Sequence, residues 1–176
     1  MQVHNSLQTN GLAVNEEWCE FFKENNFLIG LSVDGTEETH NSLRHTKSGE
    51  DTFSRIYESA KLMDKYQVEY NILTVVTKNI AENIKDIYAS YKKRGWNYQQ
   101  YIACLDPLGE AHGQTPFSLS PEVYGQFLIN LFDLWYEDLK RGTQPYIRQF
   151  ENYVGLAIGY TAESCDQRGS VGFRML

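Results

Sequence analysis

FLIGLSVDG, residues 27–35, is a short and almost uninterrupted apolar run that ends on Asp34-Gly35. A strand covered on both faces reads this way, as strands of parallel sheets do, whereas a half-solvated strand alternates apolar and polar residues. Working toward the N-terminus, Asn15 is an N-cap for EEWCEFFKENN, where Trp18, Phe21 and Phe22 recur at helical spacing and two glutamates sit at the positive end of the dipole. Before that helix, Val3 to Thr9 has strand character and closes on the turn residues Gln8-Thr9-Asn10-Gly11.

Toward the C-terminus the pattern repeats. The polar, aperiodic TEETHNSLRHTKSGED leads into a helix from about Thr52 to Tyr66, with Phe53, Ile56, Tyr57, Ala60 and Met63 inward. VEYNILTVV, residues 68–76, is rich in β-branched residues and precedes a helix that starts at Thr77 and carries Ile80, Ile84, Ile87, Tyr88 and Tyr91 up to Arg94-Gly95. Tyr98 to Leu105 forms a further strand, the loop Asp106 to Leu119 follows, and Ser120-Pro121-Glu122 opens a long helix that ends at Gly142. Four strands separated by helices require parallel crossovers, so the fold class is α/β, a partial (β/α) barrel of parallel strands alternating with helices. The 176 residues are fewer than the about 250 of a complete eight-unit barrel.

Composition narrows the function. The net charge of −7, with no basic cluster longer than Lys92-Lys93-Arg94, argues against nucleic acid as a partner. No apolar run approaches the roughly 20 residues that cross a bilayer, and the first residues lack a secretory pattern, so the expectation is a cytoplasmic protein with no membrane partner. Cys19, Cys104 and Cys165 are too widely spaced for a local zinc motif or a disulfide framework.

In parallel barrels the reactive groups gather where strands end. Those ends supply Gln8, Thr9, Asn10 and Gly11, then Ser32, Asp34 and Gly35, then Asn71, Thr74 and Thr77, then Cys104, Leu105 and Asp106. The set is mostly hydrogen-bonding, with two carboxylates and no nucleophile beside a histidine, and points to binding of a polar ligand. None of His4, His40, His45 and His112 is four residues from another, which excludes the helical zinc-protease motif. Arg44, four residues after His40, either forks onto a carboxylate or pairs at the surface with Glu37 or Glu38.

Taken in order, LQTNG, IGLSVDG, HNSLR, TFSR, NILTVVTKN, YIACLDPLGE, NLFDLWYEDL and the AESCDQRG tail resemble the anaerobic sulfatase-maturating enzymes over nearly the whole chain. Each motif is weak alone; their order and spacing carry the resemblance. It implies a radical S-adenosylmethionine (SAM) barrel over residues 1–161 and the start of a SPASM-like auxiliary-cluster domain over 162–176. Such enzymes use S-adenosylmethionine and [4Fe–4S] clusters to oxidise a Cys or Ser of a sulfatase polypeptide to formylglycine.

By this resemblance Ser32 and Arg44 hold the carboxylate of S-adenosylmethionine, Asp34 shapes the same mouth, the backbone of Leu105 meets the adenine, Gln8 and Asn10 line the cavity, and Cys165 is a metal ligand. It assigns no residue here a catalytic role. The family's CxxxCxxC and Gly-Gly-Glu segments would precede the first strand, and Val171 stands where a cysteine is called for six positions after Cys165. The expectation is therefore an internal piece that binds no cluster and is inactive alone, with an unpaired sheet edge beside Val3 to Thr9 that invites self-association. Two alternatives stay open: a radical SAM/SPASM enzyme acting on another peptide, and a non-catalytic ligand- or protein-binding module.

Overall fold

Five parallel strands, β1 (Asn5–Thr9), β2 (Phe27–Ser32), β3 (Glu69–Val76), β4 (Tyr98–Ala103) and β5 (Tyr146–Ile147), lie side by side in chain order in the computed structural model, which describes residues 4–109, 113 and 115–162. A parallel sheet whose order never reverses winds one way, which makes it an arc of a (β/α) barrel; a doubly wound sheet reverses at a switch point. Among the described residues β1 pairs only with β2 and β5 only with β4, so the arc is open.

The helices are α1 (Glu16–Glu24), α2 (Glu37–Asn41), α3 (Phe53–Lys65), α4 (Lys78–Glu82), α5 (Ile84–Lys93), α6 (Pro121–Arg141) and α7 (Arg148–Ala157). Their ends follow the capping chemistry read from the sequence. The Asn15 side chain accepts from the Trp18 N–H at 2.9 Å, and Ser120 accepts from Val123 ahead of Pro121 at the start of α6. Gly142 takes the left-handed conformation, φ 67°, that ends α6.

Three features depart from expectation. The helix after Thr77 breaks at Asn83, whose side-chain amide turns back onto Asn79, giving α4 and α5. The polar stretch after Asp34 contains α2, capped by Thr36. The unit β5–α7 had no visible signal, because two strand residues are too few for a period and exposed Tyr153, Val154 and Leu156 blur the polar face of α7. The sequence also continues β5 by a side chain: the Gln149 amide accepts from the Tyr101 N–H and donates to the Tyr101 carbonyl, replacing a third residue of strand.

The covered face of the sheet carries Ile29, Leu31, Val33, Ile72, Val76, Tyr101 and Ile147, packed with Phe22, Ile56, Met63, Ile87, Tyr91, Phe127, Leu131 and Trp135 from the helices. By register, the other face carries Gln8, Gly30, Ser32, Asn71, Leu73, Val75, Gln100 and Ile102. The expectation of a β2 buried on both sides is thus corrected: Leu28 is exposed, and Gly30 and Ser32 are only half-buried, because the inner side of an open arc has no second layer. Trp18 and Phe21, which recur at helical spacing with the buried Phe22, are nearly half exposed. Gly30 has a packing reason. A Cβ there would lie 2.6 Å from Leu73 Cδ1 and 3.2 Å from Gln8 Cγ, so glycine lets those two side chains cross the inner face.

Candidate functional site at the carboxyl ends of the strands

Parallel strands in sequential order bring their carboxyl ends to one rim, so Asn10, Ser32, Asp34 and Leu105 sit at the same end of the sheet. The turn after β1 is closed by its own side chains: Thr9 Oγ1 accepts from the Gly11 N–H and Asn10 Oδ1 from the Leu12 N–H, both at 3.1 Å. Gln8 and Ser32 project from the inner face, two positions apart in register across Gly30. Leu105, just past β4, is 85% exposed, which leaves its backbone open to a ligand.

Asp34 organises this rim. It is 3% exposed, and every polar group it owns is engaged. Oδ1 accepts from the Val75 N–H at 3.0 Å, Oδ2 accepts from Arg44 Nε at 2.5 Å, the carbonyl accepts from Thr39 Oγ1 at 2.9 Å, and the N–H donates to His40 Nδ1 at 3.0 Å. Arg44 therefore does not pair with Glu37 or Glu38 at the surface. It forms a charge-assisted bond to a buried carboxylate that is itself pinned to β3. Only Nε of Arg44 is used; its two terminal nitrogens, and the Ser32 hydroxyl, have no hydrogen-bond partner among the described residues.

Behind the rim, Gly35 N–H donates to the Tyr91 hydroxyl at 2.9 Å, and the hydroxyls of Tyr91 and Thr74 both reach the Val33 carbonyl. Burial pushes the Tyr91 phenol up, so it stays neutral. Thr74, expected at the mouth, faces the helices instead, and Thr77 is the buried N-cap of α4; both are structural. Asn71 is on the inner face but near the opposite end, where it lines a cleft of about 430 Å³ with Glu69, Asn97 and Tyr98. Asp106 accepts from the Gly113 N–H and Ser118 Oγ, holding the loop after β4. Burial, with Asp106 and Asp34 adding to it, pushes the Cys104 thiol up, which suits a small hydrophobe and not a nucleophile.

The structure thus gathers Gln8, Asn10, Ser32, Asp34, Arg44 and Leu105 at one end of the sheet; Cys165 and His112 lie outside the described residues. Sequence reasoning missed His40 and Thr52 as parts of this constellation. The available signal was HNSLR itself, whose His40 precedes Arg44 by one helical turn. Among the described residues no group of three or more His, Cys, Asp or Glu is placed to hold a metal, and Cys19 is fully buried on the inner face of α1, so they do not fit an iron–sulfur cluster. The rim fits an anion: one fixed guanidinium with unused donors and one unused hydroxyl. No helix among the described residues is long and apolar enough to cross a membrane.

No protein-family model matches the chain. Among curated proteins, the cysteine-type anaerobic sulfatase-maturating enzyme of Clostridium perfringens is 45% identical over 170 residues, 97% of this chain and 46% of that protein. The serine-type anaerobic sulfatase-maturating enzyme of Bacteroides thetaiotaomicron is 33% identical over 189 residues, 97% of this chain and 46% of that protein. A solved structure of native anSMEcpe with bound AdoMet superposes with a TM-score of 0.93 at 44% identity, covering 97% of this chain and 47% of that one. Streptococcus suis SuiB shares the fold, with a TM-score of 0.61 at 12% identity over 81% of this chain and 31% of its own. The chain spans about half the length of the curated relatives it matches.

Proposed function

We propose a function from one premise: the chain is a homologue of the anaerobic sulfatase-maturating enzymes, in sequence and in fold. It is the cofactor-cradling wall of such an enzyme, and its rim binds S-adenosylmethionine. The observation that carries this is the buried Asp34, two residues past Ser32, which fixes Arg44 by Nε and leaves the other guanidinium nitrogens without a hydrogen-bond partner among the described residues. A carboxylate accepts from such a guanidinium edge and from a hydroxyl. Two solved structures of one relative, anSMEcpe, carry bound AdoMet, one of them together with a Cp18Cys peptide, which supports the same ligand and a peptide substrate here.

In this reading Ser32 and Arg44 hold the amino-acid carboxylate of S-adenosylmethionine, and the exposed Leu105 backbone meets the adenine. Gln8 and Asn10 line the way to the inner face of the sheet. In an intact enzyme of this family a reduced [4Fe–4S] cluster, held by residues outside those described, would supply the electron that turns bound S-adenosylmethionine into the hydrogen-abstracting radical for oxidation of a Cys or Ser to formylglycine. The cluster's thiolates are not supplied by the described residues, and the tail from residue 162, with Cys165, is assigned to an auxiliary-cluster domain. Higher identity to cysteine-type relatives, 43–45%, than to serine-type ones, 28–33%, supports a Cys target. The outer edge of β1, which has no neighbouring strand among the described residues, supports self-association of the separate chain.

Calorimetric titration tests the reading. The chain should bind S-adenosylmethionine more tightly than 5′-methylthioadenosine, which lacks the amino-acid portion, and Arg44→Met should abolish that preference. Equal affinities for the two ligands in the parent chain would sink the carboxylate assignment.

A further inference from the structure

Arg44 is held at three points: its side chain by Asp34, its N–H by the His40 carbonyl, to which it donates at 2.9 Å, and its own carbonyl by Thr52. Its backbone carbonyl accepts from Thr52 Oγ1 at 3.0 Å, and the same hydroxyl lies 3.1 Å from His40 Nε2. His40 Nδ1 in turn faces the Asp34 N–H at 3.0 Å. Proton directions in this chain are forced. A backbone N–H only donates, so Nδ1 is the acceptor, the ring proton sits on Nε2, and Nε2 donates to Thr52, whose own proton goes to the Arg44 carbonyl. His40 has no exposed surface and Thr52 is 2% exposed. Asn41 Oδ1, accepting from the N–H groups of Thr52 and Phe53 at 3.2 and 3.0 Å, locks the start of α3 into the same arrangement.

We propose that His40 is a positioning residue for the ligand site: as a neutral imidazole it ties the backbone of Asp34 to that of Arg44 through Thr52 and so fixes the guanidinium for a carboxylate. The inference rests on the ligand reading given above, which names Arg44 but gives no role to His40 or Thr52. Several anchors on one loop residue have a geometric purpose. The salt bridge sets the Nε end of the side chain, and the carbonyl bond sets where the side chain starts, so the free edge of the guanidinium points one way. Burial holds the ring neutral, with its ionisation lowered to about 4, as the directional chain needs.

The test uses His40→Asn, which keeps an acceptor for the Asp34 N–H but is too short to reach Thr52, and Thr52→Val, which removes the hydroxyl and keeps the shape. Two readouts are taken on the parent chain and each variant. The first is solvent exchange of the Arg44 Nε–H by nuclear magnetic resonance; the second is affinity for S-adenosylmethionine and for 5′-methylthioadenosine. Both variants should accelerate Nε–H exchange. They should weaken S-adenosylmethionine about tenfold, the worth of a charge-assisted bond, and leave 5′-methylthioadenosine unchanged. Unchanged exchange, or equal weakening of both ligands, overturns the inference. If the parent chain binds neither ligand, the ligand reading fails while the exchange experiment still decides whether His40 positions Arg44. Should His40→Asn fail to fold, Thr52→Val decides alone.

Discussion

His40 shows how one side chain links stability to the site. Its ionisation is lowered from 6.5 to about 4, first by burial and also by the charges of Arg44 and His45, against the opposing pull of Asp34. The unfolded chain therefore takes up a proton before the native one does. The contribution of the neutral ring is complete above pH 6.5 and is lost as pH falls toward 4, and amounts to on the order of 3 kcal/mol across that range. Urea unfolding between pH 6.5 and 5, where carboxylates remain largely ionised, should show a falling midpoint in the parent chain and a flatter one in His40→Asn. Parallel slopes would contradict the assignment. Asp34→Asn keeps an acceptor for Val75 but takes the charged partner from Arg44. It should cost about 1–3 kcal/mol in thermal unfolding and at least about tenfold in S-adenosylmethionine affinity.

Much of this rim was legible before the fold was known. Ser32, Asp34 and Leu105 follow from strand ends alone, because Asp34-Gly35 stops one apolar run and Asp106-Pro107 another. For Arg44 a carboxylate partner and a surface pair stayed open, and spacing could not single out Asp34, since it is ten residues back and not one helical turn away. Thr74 misled for a different reason. A strand end shows that a residue is near the mouth and leaves its parity unknown, and parity put Thr74 under Tyr91. His40 was hidden because burial of a histidine depends on what folds over it, here Phe53 from α3 at a ring separation of 5.6 Å.

At the scale of elements, the arc is secured by polar contacts that hydrophobic periodicity does not announce. Asp138 on α6 is buried and accepts from the Tyr88 hydroxyl at 2.8 Å and from Lys92, both on α5. Burial alone would raise its ionisation, but the bonds and charge from Lys92 and Tyr88 outweigh that and hold it below the usual range. Asp138→Ala leaves the Lys92 ammonium and the Tyr88 hydroxyl unpaired and should cost about 3 kcal/mol in denaturant unfolding at neutral pH; Tyr88→Phe should cost about 1 kcal/mol. Beyond α6, Gln149→Ala removes the side chain that stands in for strand and should speed exchange of the Tyr101 amide without changing that of Leu73, which lies inside β3. The sequence announced β2 and β3 through apolar, β-branched runs, β1 through the turn residues that close it and α6 through its caps; β5 was invisible because a side-chain amide does part of its work.

At the scale of the molecule, an arc that, among the described residues, has one uncovered face and a β1 edge without a neighbour is suited to be one wall of a larger enclosure. Sedimentation of the separate chain should show a dimer or larger species, and a monomer across the accessible concentration range would count against pairing at that edge. Anaerobic reconstitution of the 176-residue chain with iron and sulfide should yield no 5′-deoxyadenosine from S-adenosylmethionine, since Cys19 is buried and three separated thiols do not furnish four cluster bonds. Stoichiometric cluster absorbance with product formation would overturn that expectation. The central claim is where the cofactor binds, and a crystal structure of the chain with S-adenosylmethionine tests it most directly. The ligand carboxylate should lie within hydrogen-bond distance of Ser32 Oγ and the terminal nitrogens of Arg44. Ligand seated instead in the cleft beside Glu69, Asn71 and Tyr98, at the other end of the strands, would contradict it.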